Sequence, residues 1–224
     1  MKFNKLKIKK FNNTTGKKYL LENGIEFKTS DKKRIEPNYT DLSRLYYLVK
    51  NNHFQNIMEF GVGFSTEIIC AAINEKKIGN IVSIDSSKKW IQSTKKLLTN
   101  KSLRKINFHY SGCSMIEINN TFASIYDTLP NITPDLIYLD GPDPKTVKGS
   151  IRGCNFKEGR FVMSADILFI EPYLKPMTTI LVDGRTLNAR FLEMNLRRNW
   201  IYHEDFEDDF SIFYLDEKPL RSQI

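Results

Sequence analysis

The sequence predicts an α/β fold: a doubly wound, mostly parallel sheet with helices on both faces and an antiparallel pair at its C-terminal edge. Three observations carry this expectation. Short β-branched apolar runs alternate with longer amphipathic stretches from residue 40 onward, the pattern of strands buried on both faces and joined by crossover helices. Most runs close on an acid or lead into a serine or glycine, as expected when parallel strands deliver their ends to one ligand-binding edge. The first run leads directly into Gly61-Val62-Gly63 and then Ser65-Thr66, a tight turn that opens a helix.

Taken in order, residues 1–38 are polar and rich in Lys and Asn, and read as a partly ordered N-terminal arm; Tyr19-Leu20-Leu21 and Ile25-Glu26-Phe27 are its segments able to pack on the domain, residues 39–224. Thr40 is the expected cap of a helix whose Leu42, Leu45, Tyr46 and Val49 follow the i, i+3, i+4, i+7 rule, with Asp41, Arg44 and Lys50 on the polar face. Strands follow at 56–60, 81–84, 106–110, 136–139 and 180–182. Helices are expected at 65–74 and at 87–98, where Trp90, Ile91, Thr94, Leu97 and Leu98 share a side, and again at 163–174 and 187–198. Residues 200–202 and 211–215 read as two strands around an acidic loop.

The 224 residues, 41% hydrophobic and 12% aromatic, are enough for one substantial core. The formal charge of +8 suggests nucleic acid until it is located: residues 1–20 hold seven lysines and no acid, which leaves +1 for the rest. The arm lacks the apolar core of a secretory signal, and no apolar run is long enough to cross a bilayer. Cys70, Cys113 and Cys154 are odd in number and contain no Cys-x-x-Cys pair, so a disulfide framework or zinc site is not indicated. A cytoplasmic protein without a membrane partner is expected.

The strand ends carry the functional signal. Glu59 and Gly61 end the first, Asp85 and Ser86 the second, Ser111-Gly112-Cys113 the third, Asp140-Gly141 the fourth, and Asp183-Gly184-Arg185 the fifth. Asp85 follows Gly61 at close to the roughly 20-residue offset at which an acid accepts bonds from ribose hydroxyls. Position 66 is Thr rather than the third glycine of a dinucleotide fingerprint, which disfavours a pyrophosphate. Glu59, two residues before the first glycine, would repel phosphate but accept a bond from an ammonium. The implied ligand has a ribose, a cationic amino-acid end and no phosphate, a description that S-adenosylmethionine fits.

Over about residues 40–215, Glu59-x-Gly61-x-Gly63, Asp85 and Asp135-Leu136-Ile137-Tyr138-Leu139-Asp140-Gly141 make the chain resemble the class I S-adenosylmethionine-dependent methyltransferases, in particular their small O-methyltransferase-like branch with a Rossmann-like sheet. The resemblance implies that Glu59, Gly61 and Gly63 line the methionine end of the cofactor, with Ser65 beside them. It implies that Asp85 and Ser86 hold the ribose, that Gly112-Cys113-Ser114 lie by the adenine, and that Asp140 sits near the transferred methyl. The family often has an acid where Cys113 stands and Pro-Gly-Gly where this chain has Pro176-Met177-Thr178.

Methyl transfer asks for positioning and a proton acceptor. Asp140 and Asp183 are the available acids, either as a base or together as ligands of Mg²⁺, whose hard oxygen preference suits carboxylates. The metal-dependent relatives in this branch have a third ligand where Gly184 stands, and Asp143 is the substitute candidate. Arg185 suits an anionic or hydroxyl-bearing substrate, or else pairs with Asp183 or Asp140. Residues 141–161, with three further glycines and five Lys and Arg, form a candidate lid. The histidines show no metal spacing, and the acidic run at 204–209 reads as a solvated hairpin tip.

The reading is a methyltransferase using S-adenosylmethionine on a small polar acceptor, such as the hydroxyl of a sugar or secondary metabolite. Its alternatives are a nucleic-acid methyltransferase guided by the lysine arm, a non-catalytic cofactor-binding module of the same fold and, third, an NAD-dependent oxidoreductase. Oligomeric state is left open.

Overall fold

The computed structural model describes residues 6–27, 36–76, 79–157 and 162–218. Strands β1 (Asn56–Phe60), β2 (Asn80–Asp85) and β3 (Ile106–Tyr110) run parallel, as do β6 (Leu136–Leu139) and β8 (Thr179–Asp183). β10 (Phe210–Leu215) pairs antiparallel with both β8 and β9 (Trp200–Asp205), giving a seven-stranded sheet in the order β3-β2-β1-β6-β8-β10-β9. β1 lies between β2 and β6, so the winding direction reverses there and opens a crevice beyond the carboxyl ends of those two strands.

Period-two alternation gives each strand two buried faces. Met58, Val82, Ile137 and Ile180 point to one core with Ile167, Ala189 and Leu192, the last two from α7 (Thr186–Asn195). Their neighbours Ile57, Ile81, Leu136 and Leu181 point to the other, against α2 (Tyr39–Asn51) and α3 (Phe64–Lys76). Burying each such aliphatic side chain contributes about 1.5–3 kcal/mol, so a strand that shifted register by one residue would exchange these two sets between the faces.

The described part of the arm is docked. α1 (Asn13–Glu22) begins with a capping box between Asn12 and Thr15 and packs on α2, burying Leu20 completely. The helices approach closely at Gly16, where a Cβ would lie 2.4 Å from the Tyr39 carbonyl oxygen. Phe11 stacks on Tyr19 at 4.9 Å, and Phe27 packs edge-on against Phe64 at 4.8 Å.

Four expectations are corrected. Asn38, not Thr40, caps α2, its side chain accepting from the Thr40 amide at 3.1 Å. Between β3 and β6 the chain forms a hairpin, β4 (Cys113–Ile118) and β5 (Thr121–Tyr126), extended by the short β7 (Val147–Lys148) into a second sheet. Its turn is Asn119-Asn120, both at positive φ, a two-residue hairpin signal. The helix expected over 163–174 shrinks to α6 (Asp166–Ile170) and a 3₁₀ turn, Glu171–Tyr173, because Pro172 lacks an amide to continue the ladder. The helix expected over 87–98 is α4 (Lys88–Lys95), capped by Ser87 and followed by the single turn α5 (Asn100–Leu103).

Arg44, expected on the polar face of α2, is only 1% exposed. Its Nη1 donates to Asp183 Oδ1 at 2.6 Å and to Asp41 Oδ1 at 3.2 Å, its Nη2 to the Asp208 carbonyl at 3.2 Å, and its guanidinium covers the Phe210 ring at 4.0 Å. One side chain thereby ties α2 to the ends of β8 and β10. Replacing it leaves Asp183 buried without its cation, so Arg44→Ala is expected to cost about 3–5 kcal/mol in urea unfolding, and Arg44→Lys to recover only part, because an ammonium cannot reproduce the fork.

Candidate active site

The turn after β1 is held from two sides. Gly61 adopts φ +93°, and a Cβ there would lie 3.0 Å from the Gly141 amide nitrogen, so the position needs glycine for conformation and for clearance. Its own amide donates to the Ile84 carbonyl at 2.8 Å. Gly63, by contrast, faces open space. The Val62 amide donates to Asp85 Oδ2 at 3.0 Å, and the Ser87 amide to Asp85 Oδ1 at 2.6 Å. Each Asp85 oxygen keeps lone-pair capacity for a further donor.

Glu59, expected to meet a ligand's ammonium, lies beneath the turn, fully buried. Its Oε1 accepts from the Ser65 hydroxyl at 2.6 Å, and its Oε2 from Thr66 at 2.8 Å and Ser83 at 2.5 Å. Those bonds fasten the first turn of α3 to β1 and β2. Burial pushes the Glu59 carboxyl up to about 7 against the pull of the three hydroxyls, and pushes Asp85 up to about 6 against its two amide donors.

A cleft of about 450 Å³ opens above this turn, lined by Gly61, Val62, Gly63, Ser65, Asp85 and Asp140 of the expected site. Trp90 of α4 lines it too, together with Glu36, Asn38 and Asp41 at the start of α2. These were not expected as site residues; Trp90 stood only as one of an apolar helical face, and nothing in a polar stretch such as 36–41 marks it as a wall. Ser86 is not among the lining residues; its hydroxyl lies 2.5 Å from that of Thr146 in the 3₁₀ turn Pro144–Thr146. Gly112 and Cys113 lie elsewhere: Cys113 is fully buried in the core, where burial pushes its thiol up to about 12, and a Cβ on Gly112 would strike Asp127. Neither is part of the cleft wall.

Asp140, Asp183 and Arg185 do come together. A second cavity, about 600 Å³, is lined by all three and shares Asp41, Tyr138, Asp140, Pro144 and Arg185 with the first. Arg185 pairs with Asp140, Nε to Oδ1 at 3.3 Å and Nη2 to the carbonyl at 2.5 Å. Asp183 is buried, and desolvation pushes its carboxyl upward, Arg44 pulls it down, and the like charges of Asp41 and Asp140 add to the rise.

This donor set does not fit Mg²⁺. Asp140 and Asp183 already answer guanidinium groups, and Gly184 offers no side chain. Asp143 caps the Lys145 amide at 2.9 Å. Among the described residues no three His, Cys, Asp or Glu gather to hold a metal ion, whereas a divalent cation of this kind expects about six oxygens. The expected lid is folded as far as residue 157: it contains β7, bonded to β4, and a bridge between Ile151 and Cys154, and Arg152 bonds Glu117 at 3.0 Å. Gly159 and Arg160 lie outside the described residues. No described helix is long and apolar enough to cross a membrane.

No protein-family profile and no curated protein matches the chain. In structure it is similar to the SAH-bound methyltransferase PaMTH1 of Podospora anserina, with a TM-score of 0.53, 13% identity, and 90% of this chain and 88% of that chain covered. The O-methyltransferase TomG of Streptomyces achromogenes, solved with SAM, superposes at a TM-score of 0.48 with 14% identity, over 96% and 94% of the two chains. At such identity the likeness to PaMTH1 is one of fold, the Rossmann-like sheet.

The buried carboxyl beneath the turn sets a pH dependence. The folded chain keeps the Glu59 proton until about pH 7, while an unfolded Glu releases it near 4.5, so between those values the folded state binds more protons and stability falls as pH rises. The loss is on the order of 3 kcal/mol. Thermal melts from pH 5 to 8 are expected to show a falling Tm that flattens in Glu59→Gln.

Proposed function

We propose that the chain is a methyltransferase that uses S-adenosylmethionine to modify a small polar acceptor. The observation that carries this reading is the charge of the first cleft. Among the described residues, Glu36, Asp41, Asp85, Asp140 and Asp143 line it against one cation, Arg185, which is itself paired with Asp140. A pyrophosphate would meet repulsion there, so a dinucleotide is disfavoured; a nucleoside whose other end carries sulfonium and ammonium charges is favoured.

In this reading Asp85 takes the ribose hydroxyls on its remaining lone pairs, next to the backbone it already organises. The open face of Gly63 admits the ligand's approach, and Trp90 offers an aromatic surface to the base. Asp41 is the acid for the ammonium end, a role that the buried and fully engaged Glu59 does not fill directly. Bound S-adenosylmethionine would supply an activated methyl group, so what falls to the protein is orientation and proton removal. Asp140 lines both cavities and is the proposed proton acceptor, with Arg185 holding it in place.

Calorimetric titration with S-adenosylmethionine, its demethylated product and NADH tests this reading. The first two are expected to bind and NADH not to bind. Asp85→Asn should weaken binding by about 10- to 100-fold, the worth of a charge-assisted hydrogen bond. Binding of NADH alone, or no response to either adenosyl ligand, would refute it. Trp90→Phe should remove most of any fluorescence change on binding and leave Trp200 as the internal control.

A further inference from the structure

Two residues that line the second cavity each keep a buried polar atom that the protein leaves without a hydrogen bond. Asp183, 4% exposed, uses only Oδ1, on Arg44; its Oδ2 has no partner. Asn188, 1% exposed on α7, accepts from the Ser164 amide at 2.6 Å through Oδ1, which orients its amide and leaves Nδ2 without an acceptor. Both residues line the same cavity. A buried acceptor and a buried donor left unmade are costly within a fold, and together they match a hydroxyl, which donates to one and accepts from the other.

The charges of that cavity are unbalanced in a specific direction. Asp41, Asp140, Asp183 and Asp209 line it. Arg185 answers Asp140, Arg44 is divided between Asp41 and Asp183, and the Asp209 Oδ1 accepts only a hydroxyl bond, from Thr186 at 2.7 Å. Among the described residues, four acidic side chains thus face two guanidinium groups. An anion entering would be repelled, whereas an ammonium would supply the missing charge.

We infer that the second cavity is the acceptor site and that it selects a cationic, hydroxyl-bearing molecule, an amino sugar or amino alcohol, rather than a neutral or acidic one. The inference rests on the reading of the first cleft as the adenosyl-ligand site. Asp183 and Asn188 take the hydroxyl, and Asp209 favours the ammonium. The volume of about 600 Å³ is ample for a small polar molecule.

A matched trio of probes tests it: D-glucosamine, D-glucose and D-glucuronate, followed by saturation-transfer NMR on the full chain saturated with S-adenosylhomocysteine. Glucosamine is expected to bind about tenfold more tightly than glucose, a difference of one favourable charge contact, and glucuronate not to bind. Asp209→Asn, an exposed position whose new amide oxygen still accepts from Thr186, should remove most of the preference for glucosamine and leave glucose unchanged. Asn188→Asp keeps the Ser164 bond but removes the amide donor, and should weaken glucose, whereas its added charge offsets that loss for glucosamine. Equal binding of all three, a preference for glucuronate, or no binding by glucosamine would overturn the inference. Failure of S-adenosylhomocysteine to bind in the same samples would instead refute the reading of the first cleft, since the trio reports on the second cavity alone.

Discussion

The candidate site depends on one constraint: the chain leaving β1 must turn with positive φ against the loop after β6, and two buried acids hold it there. Glu59 collects three hydroxyls from below, while Asp85 grips the Val62 amide from the neighbouring strand end. Gly61 permits the turn because it alone avoids both a strained backbone and a collision with Gly141. Carboxylates buried this deeply are stable only with such donors around them, so the hydrogen bonds that shape the turn also offset part of the rise in proton affinity that burial imposes on the acids.

Sheet order then decides what this turn faces. Because β1 sits between β2 and β6, the turn, Asp85 and Asp140 meet at one reversal point, and β8 adds Asp183 immediately beside them. Arg44 reaches the same place from α2 and binds the helix to the strand end. The two cavities share a wall that includes Asp140 and Arg185. A group held in one is therefore adjacent to a molecule in the other, the arrangement a transfer reaction requires.

Much of the fold was legible because strand burial leaves a period-two record: Ile57 beside Met58, and Ile180 beside Leu181, each pair divided between the two cores. Asp85 and the glycine turn were legible for the same reason, since their spacing follows from strand and helix length. Glu59 was harder to read. Its place opposite Ser83 in the parallel register is a pairing that spacing within one segment cannot express. Arg44 looked like a solvent-facing residue because its partners, Asp183 and the Asp208 carbonyl, lie far along the chain. Cys113 and Gly112 were drawn toward the site because the hairpin that buries them turns on Asn119-Asn120, a weaker signal than Asn-Gly.

The most direct test is a crystal structure of the full chain grown with S-adenosylhomocysteine. The ribose is expected against the Asp85 carboxylate, the base beside Trp90, and the sulfur facing the wall shared with the second cavity. A ligand bound away from Asp85, or with its sulfur directed away from Asp140, would contradict this placement.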